Sequence, residues 1–270
     1  MSRLILAYVF AALALLGCET VQTTERGTVG VDRTQHMMIS AAEINVAAAQ
    51  SYKQTIQEAS AKGVLNRDAN LVNRVRAVAN RLIPAAGAFR PDSLKWAWEI
   101  NVISSKEVNA WCMPGGKIAV YTGLIDTLRL TDAELAAVMG HEIAHALREH
   151  GREKASQQAA QNAVIGVGAA LLGIGEGGAS LANIAAQVTY GLPNSREFER
   201  EADRIGVELA ARAGFDPNAA VTLWQKMGQA TGSGGTPGFL RTHPTAADRI
   251  TDLQTYAQQV MPLYQAAPRR

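Results

Sequence analysis

An α+β domain, mostly helical with one small antiparallel sheet, is what this sequence predicts, on three observations. Two capping boxes, Ser40-Ala41-Ala42-Glu43 and Thr131-Asp132-Ala133-Glu134, each stand before a long run of helix-forming residues. Between them Trp96, Trp98, Ile100 and Val102 alternate with Ala97, Glu99 and Asn101, the period of a strand. Pro114-Gly115-Gly116 then separates two further apolar segments, as a hairpin requires. The 270 residues can bury a full core. Formal charge is +2 with no basic tract beyond Arg269-Arg270, so nothing points to a nucleic-acid partner.

In chain order, Arg3 precedes an apolar run from Leu4 to Leu16 that is too short to span a bilayer comfortably and stops at Gly17-Cys18. This looks like a bacterial secretory signal ending in a lipobox, which implies removal of residues 1–17 and lipidation of Cys18. Several acyl chains on Cys18 would anchor the protein to a membrane stably, where one chain is marginal. Glu19 is not the Asp that retains such lipoproteins at the inner membrane, which implies the periplasm and the outer membrane. The alternative is an ordinary signal peptide with Cys18 incidental. With Cys18 used, Cys112 is the one thiol left and no internal disulfide is available. Residues 18–39 are polar without sustained periodicity and read as a flexible tether, and residues 40–265 as the folded domain.

The first helix should run from the Ser40 box to about Lys62, stopped by Gly63. A second spans about Ala69 to Leu82, with Val72, Val75, Ala79 and Leu82 on one stripe, and ends at Pro84. Strands cover about 96–102, 108–113 and 118–121. The Thr131 box opens a helix from about Asp132 to Glu149. From Ala155 to Tyr190 the chain is rich in Ala and Gly; its apolar run Ala163 to Gly175 is too short for a membrane span. It reads as a helix packed on the domain, with a glycine-hinged flap as the sharper alternative. Ser195 to Ala213 is a charged helix closed by Gly214, and Asp216-Pro217 opens another to about Gln229. After a Gly/Ser/Thr loop, a last helix spans Ala246 to about Val260.

The helix from Asp132 carries His141-Glu142-Ile143-Ala144-His145. A helix turns once in about 3.6 residues, so His141 and His145 share a face and suit two positions on a zinc ion. Glu142 beside them can take a proton from water activated there. The flanks Ala136-Ala137-Val138-Met139-Gly140 and Ile143-Ala144 are apolar, so the motif lies on a buried stretch, where unpaired His and Glu are costly. A third ligand must come from elsewhere. Around residue 200, Glu199 and Asp203 lie four apart, and so do Glu197 and Glu201; spacing alone does not choose between the pairs.

His-Glu-Ile-Ala-His, followed later by Glu199-Arg200-Glu201-Ala202-Asp203, resembles the HtpX-like and CAAX prenyl protease family of zinc metallopeptidases, and most of all its soluble periplasmic lipoprotein members. The resemblance covers roughly residues 40 to 260 and implies a zincin-type fold with a single zinc ion. Residue by residue, it implies His141, His145 and Glu199 as zinc ligands, Glu142 as the catalytic base and Asp203 as the partner that orients a histidine. Asn109-Ala110-Trp111 would belong to a substrate-binding edge strand beside the metal, with Cys112 either a buried small hydrophobe or a thiol near zinc. His243, followed by Pro244, and Arg249 would steady the negative oxygen of the tetrahedral intermediate. In some relatives such a histidine instead binds the metal and silences the enzyme; the plain reading of the segment is a capping turn with Arg249 on the surface. The family implies a metalloendopeptidase acting on misfolded or stalled envelope polypeptides. The competing expectation is a periplasmic chaperone or assembly factor working with the outer-membrane assembly machinery.

Overall fold

The computed structural model describes residues 19–172, 181–230, 237–244 and 247–268; the expected signal segment and Cys18 lie outside them. The described chain begins with an antiparallel pair, β1 (Glu19–Val21) and β2 (Gln35–Met37), with Glu19 opposite Met37. From Glu19 onward the expected tether is instead folded onto the domain. Val29, Val31 and Met37 are buried, and the Val29 amide donates to Glu208 Oε2 at 2.9 Å. These apolar residues are too sparse to show a period, and polar partners fix the backbone between them.

The Ser40 capping box closes as spelled and opens α1 (Ala41–Ala61). Asp68 caps α2 (Ala69–Ala86), accepting from the Asn70 and Leu71 amides. This helix continues through Pro84, because the proline falls in its last turn, where a single backbone bond is forfeited before Gly87 ends it. The stripe Val72, Val75, Ala79, Leu82 is buried as its spacing predicts.

Three strands follow: β3 (Glu99–Ile103), β4 (Ala110–Met113) and β5 (Lys117–Tyr121). β4 and β5 form the expected hairpin, with Gly115 and Gly116 both at φ 79°, where a side chain would be strained. β3, however, pairs with β5 in parallel, so the sheet is mixed and not wholly antiparallel. β5 is apolar and buried from Ile118 to Val120, and it takes the central slot; β4 is left at the edge.

A short helix, α3 (Thr122–Leu128), leaves β5 directly and was not legible in the sequence. The Thr131 box opens α4 (Asp132–Leu147), which is buried along almost its whole length. At Glu149 the backbone takes a left-handed conformation, φ 51°, and α5 (His150–Leu172) departs in a new direction. α6 (Leu181–Ala186) runs into a π-helical turn, Gln187–Gly191. Ala185 and Val188 pack with Ile44, Ala47 and Ala155, so the two ends of the 155–190 segment lie on the domain; residues 173–180, including the end of the Ala163–Gly175 run, lie outside the described residues. α7 (Arg196–Arg212), α8 (Ala219–Ala230), α9 (Gly238–Thr242) and α10 (Arg249–Ala266) complete the described chain. Among the described residues no helix is long and apolar enough to cross a membrane.

The crossing of α4 and α7 positions the site. It is made glycine to glycine: a Cβ added at Gly140 would lie 2.9 Å from the Gly206 carbonyl oxygen, and one at Gly206 would lie 2.8 Å from the His141 amide nitrogen. Such close backbone packing brings the histidines of one helix within reach of the carboxylates of the other.

Candidate metal centre

Among the described residues, His141, His145, Glu199 and His243 offer ligand atoms that all lie within 4.8 Å of one another, and all four residues are buried. α4 supplies the two histidines from one face, α7 supplies Glu199, and His243 follows α9. His141 Nε2 and His145 Nε2 are 3.1 Å apart; Glu199 Oε2 is 3.5 Å from the first and Glu199 Oε1 is 3.3 Å from the second. Each histidine has its other ring nitrogen occupied: His141 Nδ1 by Asp203 Oδ1 at 3.0 Å, and His145 Nδ1 by His150 Nδ1 at 2.8 Å. The Nε2 lone pairs are therefore turned toward one point, together with a carboxylate. Three imidazoles and a carboxylate converging in a buried space are a donor set that fits a divalent ion such as zinc.

Glu142 projects into the same space. Its Oε1 lies 3.3 Å from His243 Nε2, and that oxygen is buried with no hydrogen-bond partner. Burial raises the Glu142 carboxyl above its ordinary range, while the charges of His243 and His141 and the Cys112 main-chain amide moderate the rise. Glu199 is held well below the usual carboxylate range: burial opposes this, but His243 and His141 outweigh it. His145 is pushed down by burial and by the neighbouring His141, so it stays neutral, as a metal ligand must.

Glu199 enters the cluster and Glu201 does not. Glu201 faces the opposite way, toward Arg33, Arg148 and His150. Glu197 is exposed and pairs loosely with Arg33. Asp203 accepts from His141, as the resemblance implies. Arg249 is buried and is not a surface residue, but its fork points at carboxylates: Nη1 lies 3.0 Å from Glu199 Oε2 and Nη2 lies 2.7 Å from Asp203 Oδ1. The guanidinium also sits over the Trp224 ring, 3.2 Å from its centroid. His243 stacks on Phe239 and brings Nδ1 within 2.9 Å of Glu199 Oε1 and 3.2 Å of His141 Nε2.

A narrow cleft beside these groups is lined by Cys112, Pro114, Glu142, His145, His243 and the Val188–Thr189 turn. Cys112 belongs to the main core and also to this wall, and burial raises its thiol well above the usual value. β4, with Ala110 and Trp111, is the edge of its sheet, and Asn109 precedes it. The Trp111 side chain is buried against Tyr52 and Tyr190 and is turned away from the cleft, so what the edge can offer a substrate is main chain. His150 was not anticipated by spacing. Five residues from His145 is the wrong interval for one helix face, and the break at Glu149 is what brings the ring round.

Comparison with known proteins agrees with this geometry. Residues 69–257 match Peptidase family M48. The chain is 37% identical over 183 residues to the mitochondrial metalloendopeptidase OMA1 of Schizosaccharomyces pombe, covering 67% of this chain and 52% of that protein. It is 32% identical over 227 residues to the mitochondrial metalloendopeptidase OMA1 of Bos taurus, covering 78% of this chain and 42% of that one. It is also 32% identical over 209 residues to the beta-barrel assembly-enhancing protease of Escherichia coli strain K12, covering 74% and 41%. The chain thus spans about half, or less, of the length of these relatives. With most of its length inside the family match, this chain belongs to Peptidase family M48.

Proposed function

We propose that the chain is a zinc-dependent metalloendopeptidase of the bacterial cell envelope, tethered through a lipidated Cys18 to the periplasmic side of the outer membrane, and that it cleaves misfolded or stalled envelope polypeptides. The observation that carries the peptidase reading is the Glu142 carboxylate, buried with one oxygen unpartnered beside a converging set of metal donors. The zinc would be held by His141, His145 and Glu199. When bound, zinc supplies a Lewis acid that makes water acidic and polarises the scissile carbonyl. Glu142 takes the proton of the attacking water on its unpartnered oxygen and delivers it to the leaving amine. The main chain of β4 at the cleft rim aligns an extended peptide by strand addition, which tolerates many sequences. Asp203 keeps His141 in the tautomer that presents Nε2, and Arg249 steadies Glu199 and Asp203 from behind. His243, with Nδ1 2.9 Å from Glu199 and Nε2 3.3 Å from Glu142, stands beside these groups, where it would steady a developing oxyanion.

The envelope placement rests on the lipobox at Cys18 and on the likeness to the beta-barrel assembly-enhancing protease. That relative's name also supports a second reading, a binding role in outer-membrane protein assembly with cleavage secondary. Glu142→Gln separates the two. With zinc content unchanged, the variant should degrade an unfolded model substrate more slowly by about 10²–10⁴-fold. An undiminished rate would sink the peptidase assignment. A variant that loses cleavage and still protects envelope assembly in cells would favour the binding role.

A further inference from the structure

His150 and Glu201 are both fully or nearly buried and neither is a member of the four-residue donor cluster. They form a line that ends on it. His145 Nδ1 is 2.8 Å from His150 Nδ1, and His150 Nε2 is 2.9 Å from Glu201 Oε2. The His150 ring is clamped flat on Phe198, 4.5 Å between centroids at 8°. Glu201 is fixed in turn by Arg148, whose Nε and Nη2 lie 3.1 and 3.2 Å from its two oxygens, and by Arg33, at 2.8 and 3.2 Å. Glu149 holds the left-handed backbone that swings His150 back toward His145, and its carboxylate is tied to Arg90 at 2.6 Å and Arg152 at 2.8 Å. A side chain placed by a strained turn, a ring stack and an arginine-clamped carboxylate is held for its position.

We propose that His150 is a positioning residue for the metal ligand His145, with Glu201 as the carboxylate behind it. The inference rests on the zinc reading above. Proton placement follows along the line without a gap. A His145 ring that presents bare Nε2 to a metal carries its hydrogen on Nδ1 and donates it to His150 Nδ1. His150 must then carry its own hydrogen on Nε2, which it donates to the Glu201 carboxylate. This is a carboxylate–histidine–metal arrangement lengthened by one imidazole, and it stands opposite the direct one in which Asp203 backs His141. It gives Glu201 a place in the site although its oxygens never reach the donor cluster.

The test compares His150→Leu with His150→Gln in the full chain. The two side chains are similar in bulk, but glutamine can accept from His145 and donate to Glu201, and leucine can do neither. Zinc affinity, read by competition with a chromogenic chelator, should fall by about ten- to hundred-fold in His150→Leu and be largely restored in His150→Gln, with the exposed His36→Ala unchanged. Equal affinity in wild type and His150→Leu overturns the inference, and so does an equal loss in both variants, which would mean that shape alone matters. A wild type that binds no zinc overturns the metal reading and this inference with it. Should both substitutions unfold the chain, nitrogen NMR of the zinc-loaded wild type decides. Hydrogen on Nε2 and bare Nδ1 at His150 is expected, and hydrogen on Nδ1 overturns it.

Discussion

Glu199 and Glu201 lie two residues apart on one helix and face different neighbours, so their substitutions should part company. Glu199→Ala should abolish zinc retention at micromolar protein, whereas Glu201→Gln should still load fully, with a weaker affinity. Metal analysis after gel filtration reads this directly, and the reverse result would overturn the ligand assignment. His141 yields a pH prediction. Burial works against a charge there, but Glu199 and Asp203 outweigh it and raise its pKa from 6.5 to about 9. Zinc must displace that proton at neutral pH, so apparent zinc affinity should climb about tenfold per pH unit and level off above the raised value. The metal-free fold should show the opposite trend: the stability contributed by the His141 proton is full below 6.5 and is lost as pH rises through about 9. Titration calorimetry between about pH 7 and about pH 9.5 checks the first trend, and a flat profile would exclude it.

At the scale of elements, what the sequence made legible was local. Both capping boxes, the α2 stripe and the Pro114–Gly116 turn are written in neighbouring residues and appear where their chemistry places them. Long-range pairing was not written there: nothing in Glu99 to Ile103 says that its partner β5 will run parallel, and no spacing shows His150 beside His145. The choice of Glu199 over Glu201 needed either a family likeness or the actual crossing of α4 and α7. That crossing is itself testable. In Gly206→Ala the new methyl meets main chain at 2.8 to 3.0 Å, which cannot rotate away. The helices must separate, and we expect a loss of about 1–3 kcal/mol in stability together with weaker zinc binding. Calorimetry and chelator competition on the same preparation would show both, and wild-type values for both would disprove the constraint.

Across the whole molecule, the segment before α1 joins parts that are far apart in sequence. Arg33 reaches Glu201 on α7 and Glu153 on α5, and Gln35 donates to the Arg148 carbonyl at 2.7 Å. A membrane anchor at Cys18 would therefore attach to a segment that is already part of the site's support. Burial pushes the Glu201 carboxyl up, but hydrogen bonds from His150 and Arg33 outweigh it and hold it far below its ordinary 4.5. A depressed carboxylate adds stability above its unfolded value and loses it as pH falls, so melting temperature should drop progressively below about pH 4.5. Arg33→Met should lower the melting temperature near pH 7, and its deficit against wild type should shrink only at the acid end, as pH falls well below the usual carboxylate range toward the strongly lowered Glu201 value. A deficit of constant size would argue that Arg33 contributes through packing alone.

The glycine crossing has a consequence for timing. His145 and Glu199 are distant in sequence and meet only because α4 and α7 pack against each other. A chain that is not yet folded, or one that has unfolded under stress, holds these groups apart and has no donor cluster. On the proposed peptidase reading, hydrolytic competence would arrive only when the two helices close on one another and vanish when they part, which would spare the neighbours of a newly made chain until its own fold is complete.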